Sequence, residues 1–184
     1  MLALGCAIAI LGAGACFLPP ERVPPPPLPP YLAHLHSFSI QVQDASGQDL
    51  MDEAAMSRET ASLFNELWKE FDLHAVHVQS STPTEALLRI TIDRKSTSLS
   101  SGSRGKQKWT FVLKSSLKLT AADGRLLWQK REENTEFTLW LENGLPPDGW
   151  NSKVVRHETA YWLAMGLGDI LYDLPFRYSS EKHP

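Results

Sequence analysis

The 184-residue chain has two cysteines, Cys6 and Cys16, and both lie in its first sixteen positions. Cleavage ahead of Cys16 would leave the rest without any other thiol, which excludes a disulfide framework and a catalytic cysteine. Ionisable side chains are also missing at the start: none precedes Glu21. Past residue 18 there is no apolar run long enough to span a bilayer, which takes about 20 residues. A net charge of −3 is too small to point to a nucleic-acid partner, and no aromatic ladder accompanies the basic residues. No internal repeat is present.

What stands at the start is "LALGCAIAILGAGACFL", small or greasy throughout, followed by "PPERVPPPPLPP". The run has the length of a signal-peptide core, and "AGA" is the small-residue pattern that signal peptidases accept. A cysteine directly after it matches a bacterial lipoprotein signal, with Cys16 as the lipidated residue. Ala13 stands where leucine is usual, and the absent positive charge is compatible with a start codon further upstream. An uncleaved anchor and an ordinary secretory signal are the other two readings. Under all three the domain is held at a membrane or exported across it. Acyl chains on Cys16, palmitate among them, contribute about 0.8 kcal/mol per buried CH₂. The prolines favour an extended tether of about 3.1 Å per residue. The expected division is a signal peptide over 1–15, a lipidated N-terminus and tether over 16–35, a domain over 36–176 and a tail over 177–184.

Within the domain, "SFSIQVQ" alternates Phe38, Ile40 and Val42 with polar neighbours, the pattern of a half-buried strand. Met56, Leu63, Phe64, Leu67 and Phe71 recur at helical spacing between Asp52 and Phe71, with Asp52 or Ser57 as N-cap. "LHAVHV" reads as a short strand. Leu88, Ile90 and Ile92 share one face, as do Trp109, Phe111, Leu113, Leu117 and Leu119. "ADGR" is a hairpin turn with Gly124 at positive φ. In the strand that follows, Trp128 is even-numbered while Phe137 and Leu139 are odd, so a bulge or break is expected near Glu132 to Thr135. A last helix is expected over 152–174, its stripe formed by Val155, Leu163, Gly166, Leu167, Ile170 and Leu174. One-sided strands and one-sided helices together predict an α+β domain. Two helices would lie on one face of a mainly antiparallel four-stranded sheet, in the order β-α-β-β-β-α.

Charge is distributed unevenly. Arg89, Arg94, Lys95, Arg104, Lys106, Lys108, Lys114 and Lys118 fall between Ala86 and Ala122 against a single acid, Asp93. Lys108, Lys114 and Lys118 alternate with the apolar face of their strand, and Arg89 opposes Leu88 and Ile90. "RKSTSLSSGSRGKQK" reads as a basic loop. Such a surface suits phosphates or other anions. A solvated strand face that resists aggregation would look the same.

Enzyme motifs are incomplete. "HETAY" opens like a zinc-protease helix, but Tyr161 replaces the second histidine. His74 and His77 have ligand-like spacing without a second pair. "GSRG" lacks a nucleophile elbow, and Glu132 and Glu133, being adjacent, face apart. Trp128, Trp140, Trp150 and Trp162 suit a core or an interface better than a sugar platform. The expectation is a non-enzyme with no cofactor and no metal.

A leader ending in cysteine, a strand and a helix, "EALLRITIDRKSTSLSS", a long strand running into "LKLTAADGRLLWQKRE", and a closing helix together resemble the LPS-assembly lipoprotein family of Gram-negative bacteria. The likeness covers roughly residues 36–175. It implies a lipid-anchored, periplasm-facing outer-membrane protein that partners a β-barrel and assists lipopolysaccharide transport; the eight basic residues, read from charge independently of the likeness, are the expected anion or lipopolysaccharide contacts. The alternative is an auxiliary lipoprotein of another envelope system, a lipid-transport ABC complex or a secretion apparatus.

Overall fold

A computed structural model of the chain describes residues 32–47, 50–103, 105–142, 144–146 and 148–171. The leader, Cys16, the tether up to residue 31 and the chain from residue 172 onward fall outside the described residues.

The elements run β1 (Ser37–Asp44), α1 (Glu53–Leu67), β2 (His74–His77), β3 (Ala86–Ser103), β4 (Lys106–Ala121), β5 (Leu126–Leu141) and α2 (Lys153–Leu171), with a 3-10 turn at Gly149–Asn151. The α+β class is as expected. The sheet has five strands rather than four, in the order β2-β1-β3-β4-β5, and is mixed: β1 runs parallel to both β2 and β3. β3–β4 and β4–β5 are antiparallel. The extra strand is the four-residue β2, whose ends are His74 and His77 and whose centre is Ala75 and Val76. The helix between β1 and β2 makes their parallel pairing possible, because a parallel neighbour needs a crossover.

Asp52 caps α1, its carboxylate accepting from the Ala55 N–H at 2.9 Å. Ser57 lies one turn inside, buried. Its hydroxyl donates to the Glu53 carbonyl at 2.6 Å and accepts from the Val42 N–H at 2.9 Å. That N–H lies past the end of short β2, so the helix satisfies a strand group that would otherwise be orphaned. Both helices cover one sheet face. Between them Phe38, Ile40, Phe64, Leu88, Ile90, Ile92, Phe111, Leu113 and Leu119 are fully buried. Phe111 stacks on Phe137 at 5.0 Å and meets Trp150 edge-on at 5.2 Å. Leu32 and Leu35 also join the core.

α2 turns Val155, Leu163 and Leu167 inward as expected, together with Thr159, Ala160, Ala164, Gly168 and Leu171, while Gly166 and Ile170 are half-buried and Leu174 lies outside the described residues. Gly168 is required where Trp68 lies flat on the helix, since a Cβ there would sit 1.8 Å from the indole. The Trp68 indole N–H donates to the Ala164 carbonyl at 3.0 Å.

The basic segment read as a loop is a hairpin. β3 continues to Ser103, β4 starts at Lys106, and Gly105 makes the turn at φ 79°. The expected bulge is present, with Arg131 and Glu132 the extra residues of β5 against Ser116 of β4. It brings Trp128 and Phe137 onto the same face, as their parity required. A second shift lies at Leu127. Gly124 has φ 87° in the predicted turn.

Candidate functional site

The two sheet faces differ in cover. The helices take one; the other carries Gln41, Arg89, Thr91, Arg94, Lys108, Lys114, Ser116, Lys118, Gln129 and Asn134. Cross-strand register places Arg89 opposite Lys118, and Arg94 opposite Lys114. Each is a cation directly facing a cation, an arrangement that costs stability rather than adding it. Arg89 donates to the Gln41 side-chain oxygen at 3.1 Å, which aims its guanidinium along the face. Among the described residues, Arg94, Lys114 and Lys118 have no carboxylate within 4 Å, and all three are exposed. A shallow cavity of about 310 Å³ runs beside the Arg89–Lys118 rung, lined also by Gln43, Thr91, Ser116 and Arg131. The rungs are four residues apart along β4, roughly 13 Å at 3.3 Å per residue.

Of the eight predicted residues, the structure brings four together: Arg89, Arg94, Lys114 and Lys118. Lys108 sits further along the same face, opposite Trp140 of β5, whose side chain is 51% exposed. Lys106, at the turn, pairs with Glu142 at 3.5 Å. Arg104 lies outside the described residues.

Lys95, expected with the other cations, lies on the opposite side of the sheet. Between Ile92 and Arg94 the register slips by one residue, leaving Asp93 unpaired against β4. Every later side chain of β3 therefore changes face, and Lys95 points under the helices opposite Leu113. Its side chain is 1% exposed and forms an ion pair with Asp44, also 1% exposed. The Lys95 ammonium lies 5.9 Å from the Trp150 ring centre. Both Asp44 oxygens are used: one accepts from the Ser46 N–H at 3.1 Å and the Ser46 hydroxyl at 2.6 Å, and the one bound to Lys95 also accepts from the Met51 N–H at 3.0 Å. Burial alone would raise the Asp44 carboxyl; the bonds from Lys95, Ser46 and Met51 outweigh it and hold it below the usual range. Lys95 is thus unavailable to an anion from outside.

Other charged groups serve the frame. Glu59 joins the helices, accepting from Arg156 at 2.9 Å and bonding His157 at 2.9 Å. Burial works to raise Glu59, and its two partners lower it further than burial raises it. Glu85 is lowered by the His36 and Ser37 N–H groups that it accepts, tying the chain's entry to the start of β3. Trp128 and Trp162 pack at the core margin, Trp150 is buried, and Trp140 stands alone in its exposure. They form no shared platform. His74 and His77, three apart on a strand, face opposite ways and cannot close on one ion. Among the described residues, no group of three His, Cys, Asp or Glu side chains could hold a metal ion, and no helix is long and apolar enough to cross a membrane.

No family model matches the chain, and no curated protein matches it. Solved structures do resemble it in arrangement. The minor lipoprotein of Acinetobacter baumannii is 6% identical at a TM-score of 0.42, covering 76% of this chain and 92% of that one. A lipoprotein of Neisseria meningitidis is 10% identical at 0.35, over 75% and 96%. Rare lipoprotein B of Shewanella oneidensis is 9% identical at 0.32, over 75% and 98%.

Proposed function

We propose that the protein is a lipoprotein anchored through Cys16 in the outer membrane, where it binds a β-barrel partner and assists lipopolysaccharide transport and assembly. In this reading it is an accessory protein without catalysis. One observation carries the lipopolysaccharide contact: the open sheet face holds two rungs of paired cations with no carboxylate among the described residues to neutralise them. Phosphate groups of lipid A would supply the missing charge through charge-assisted hydrogen bonds. The anchor reading rests on the apolar run ending "AGAC" and the proline tether after it. Chain direction is consistent with both. Residues 32–36 lead into β1 at the Ser37 end of the sheet, and parallel β1 and β3 set the Ser103–Lys106 turn at the far end, roughly 55 Å away at 3.3 Å per residue. The Arg94–Lys114 rung is therefore held out from the anchored end.

The test is Lys114→Glu together with Lys118→Glu in the full chain. Affinity for lipopolysaccharide should fall roughly tenfold or more, with thermal stability little changed because both positions are exposed. Raising the ionic strength should reduce binding of the parent protein in the same direction. Unchanged affinity removes lipopolysaccharide from the reading. A pull-down from native envelopes separately tests the partner: a large β-barrel supports the proposal, and ABC-transporter or secretion components would replace it.

A further inference from the structure

The two edges of the sheet are finished differently. At one edge, β2 presents Ala75 and His77 outward. The Ala75 N–H donates to the Asn65 side-chain oxygen at 2.8 Å, and the Asn65 amide donates to the Ala75 carbonyl at 2.7 Å. The His77 carbonyl accepts from the Ser80 N–H at 2.9 Å. Those groups are occupied and cannot template another strand. At the other edge is β5, sixteen residues long. Among the described residues, no side chain or loop bonds to its outward backbone.

The middle of β5 reads Lys130-Arg131-Glu132-Glu133, two cations followed by two anions. Run antiparallel against itself, this block sets anions against cations in both halves. Ordinary alternation would defeat the match, because residues three apart lie on opposite faces. The bulge removes that obstacle. Lys130 lies opposite Leu117 of β4 and Glu133 opposite Ser115, so both sit on the helix-covered face. Gln129 and Asn134 share the open face, opposite Lys118 and Lys114. Trp128 and Thr135 return to the covered face, opposite Leu119 and Leu113. Each of these pairs is symmetric about the Arg131–Glu132 bond and matched in face. Lys130 and Glu133 already form an ion pair within one chain, so their geometry is suited to exchange between chains.

We propose that β5 is the interface between two copies of this chain, joined antiparallel about a two-fold axis through the Arg131–Glu132 bulge. The axis is isologous, each copy giving and receiving the same contacts, and it fuses two five-stranded sheets edge to edge. Both cationic faces then lie on one side of the joined sheet. The inference is independent of the barrel and lipopolysaccharide reading.

The experiment uses the full chain in matched detergent, with protein mass measured by sedimentation over a concentration series. The parent should be a dimer. Lys130→Glu with Arg131→Glu places four anions in the block, and Glu132→Lys with Glu133→Lys places four cations. Each variant alone should lose roughly a hundredfold in dimer affinity through like-charge opposition, and an equal mixture should recover it. Recovery in the mixture shows that the variants are folded. Separately, Gln129→Cys with Asn134→Cys should yield a disulfide-linked dimer that Gln129→Cys alone does not. A monomeric parent, variants that dimerise undiminished, or failure of both the mixture and the cross-link would each overturn the interface.

Discussion

Arg94 and Lys95 are adjacent in sequence and end on opposite sides of the sheet. Arg94 stands on the open face with another cation, Lys114, directly across from it. Lys95 lies beneath the helices, bound to one carboxylate and set near the face of one indole. Water accounts for the difference. On the open face it screens the repulsion between neighbouring cations, so they need no partner and remain available to one. Under the helices an ammonium without an anion would be too costly, so the fold supplies Asp44 and fixes it with three further hydrogen bonds. A single extra residue, Asp93, decides which cation receives which treatment.

The largest effect should come from breaking the covered side of this contrast. Lys95→Ala leaves the Asp44 carboxylate buried beside an empty space, and the expected loss is about 3 kcal/mol of unfolding free energy. Denaturant titration measures it. The double change Asp44→Asn with Lys95→Met removes both charges and should recover most of that loss, because a neutral pair of similar size has no unpaired charge to bury. If the single and double variants are equally unstable, the ion pair is incidental and the methylene packing of Lys95 is what matters.

A smaller, pH-dependent effect follows from the same pair. The Asp44 carboxyl is lowered in the folded protein. Its contribution is therefore complete above the unfolded-state pKa, about 3.9 for aspartate, and is lost as pH falls through the lower folded value. Glu59 and Glu85 are lowered too and act in the same direction. Comparison with Asp44→Asn isolates the one site: the stability gap between parent and variant should be widest at neutral pH and narrow on acidification. A gap that stays constant down to pH values below the folded pKa would mean that the carboxylate charge contributes nothing.

Much of this architecture is legible in residue order wherever one face is greasy. Leu88, Ile90 and Ile92, and then Phe111 through Leu119, alternate so strictly that their buried face follows directly. In β5 the change from Trp128 to Phe137 reveals a bulge, because hydrophobic residues mark the face on either side of it. The Asp93 bulge leaves no such mark. Beyond it the strand reads Arg-Lys-Ser-Thr-Ser-Leu-Ser-Ser, polar on both faces, since the hairpin outruns the helices that would have demanded an apolar side. Lys95 therefore looks like any surface lysine. The partner that identifies it, Asp44, lies 51 residues earlier and is brought beside it only by the parallel β1–β3 register. Edge strand β2 is legible as the short strand in "LHAVHV", but its four residues, His74 to His77, carry too little alternation to place it in the sheet. Asn65, which closes that edge, reads as one polar residue on a helix.

The smallest effect belongs to the open face and should have the opposite sign. Arg89 and Lys118 occupy directly opposed positions on β3 and β4, and no carboxylate among the described residues relieves them. Lys118→Gln keeps a flexible polar side chain at the position and removes one of the two charges. Stability should rise by about 0.3 kcal/mol at low salt, the scale of a like-charge cross-strand pair, and the gain should fade as added salt screens the repulsion. Paired denaturant titrations at two ionic strengths would measure both parts. A loss of stability instead would show that Lys118 packs or bonds on this face, which would take away the freedom that the anion-binding role requires of it. A gain confirms that the folded protein retains a repulsion it could have lost in one substitution, which makes sense for a surface whose counter-charge arrives with a ligand.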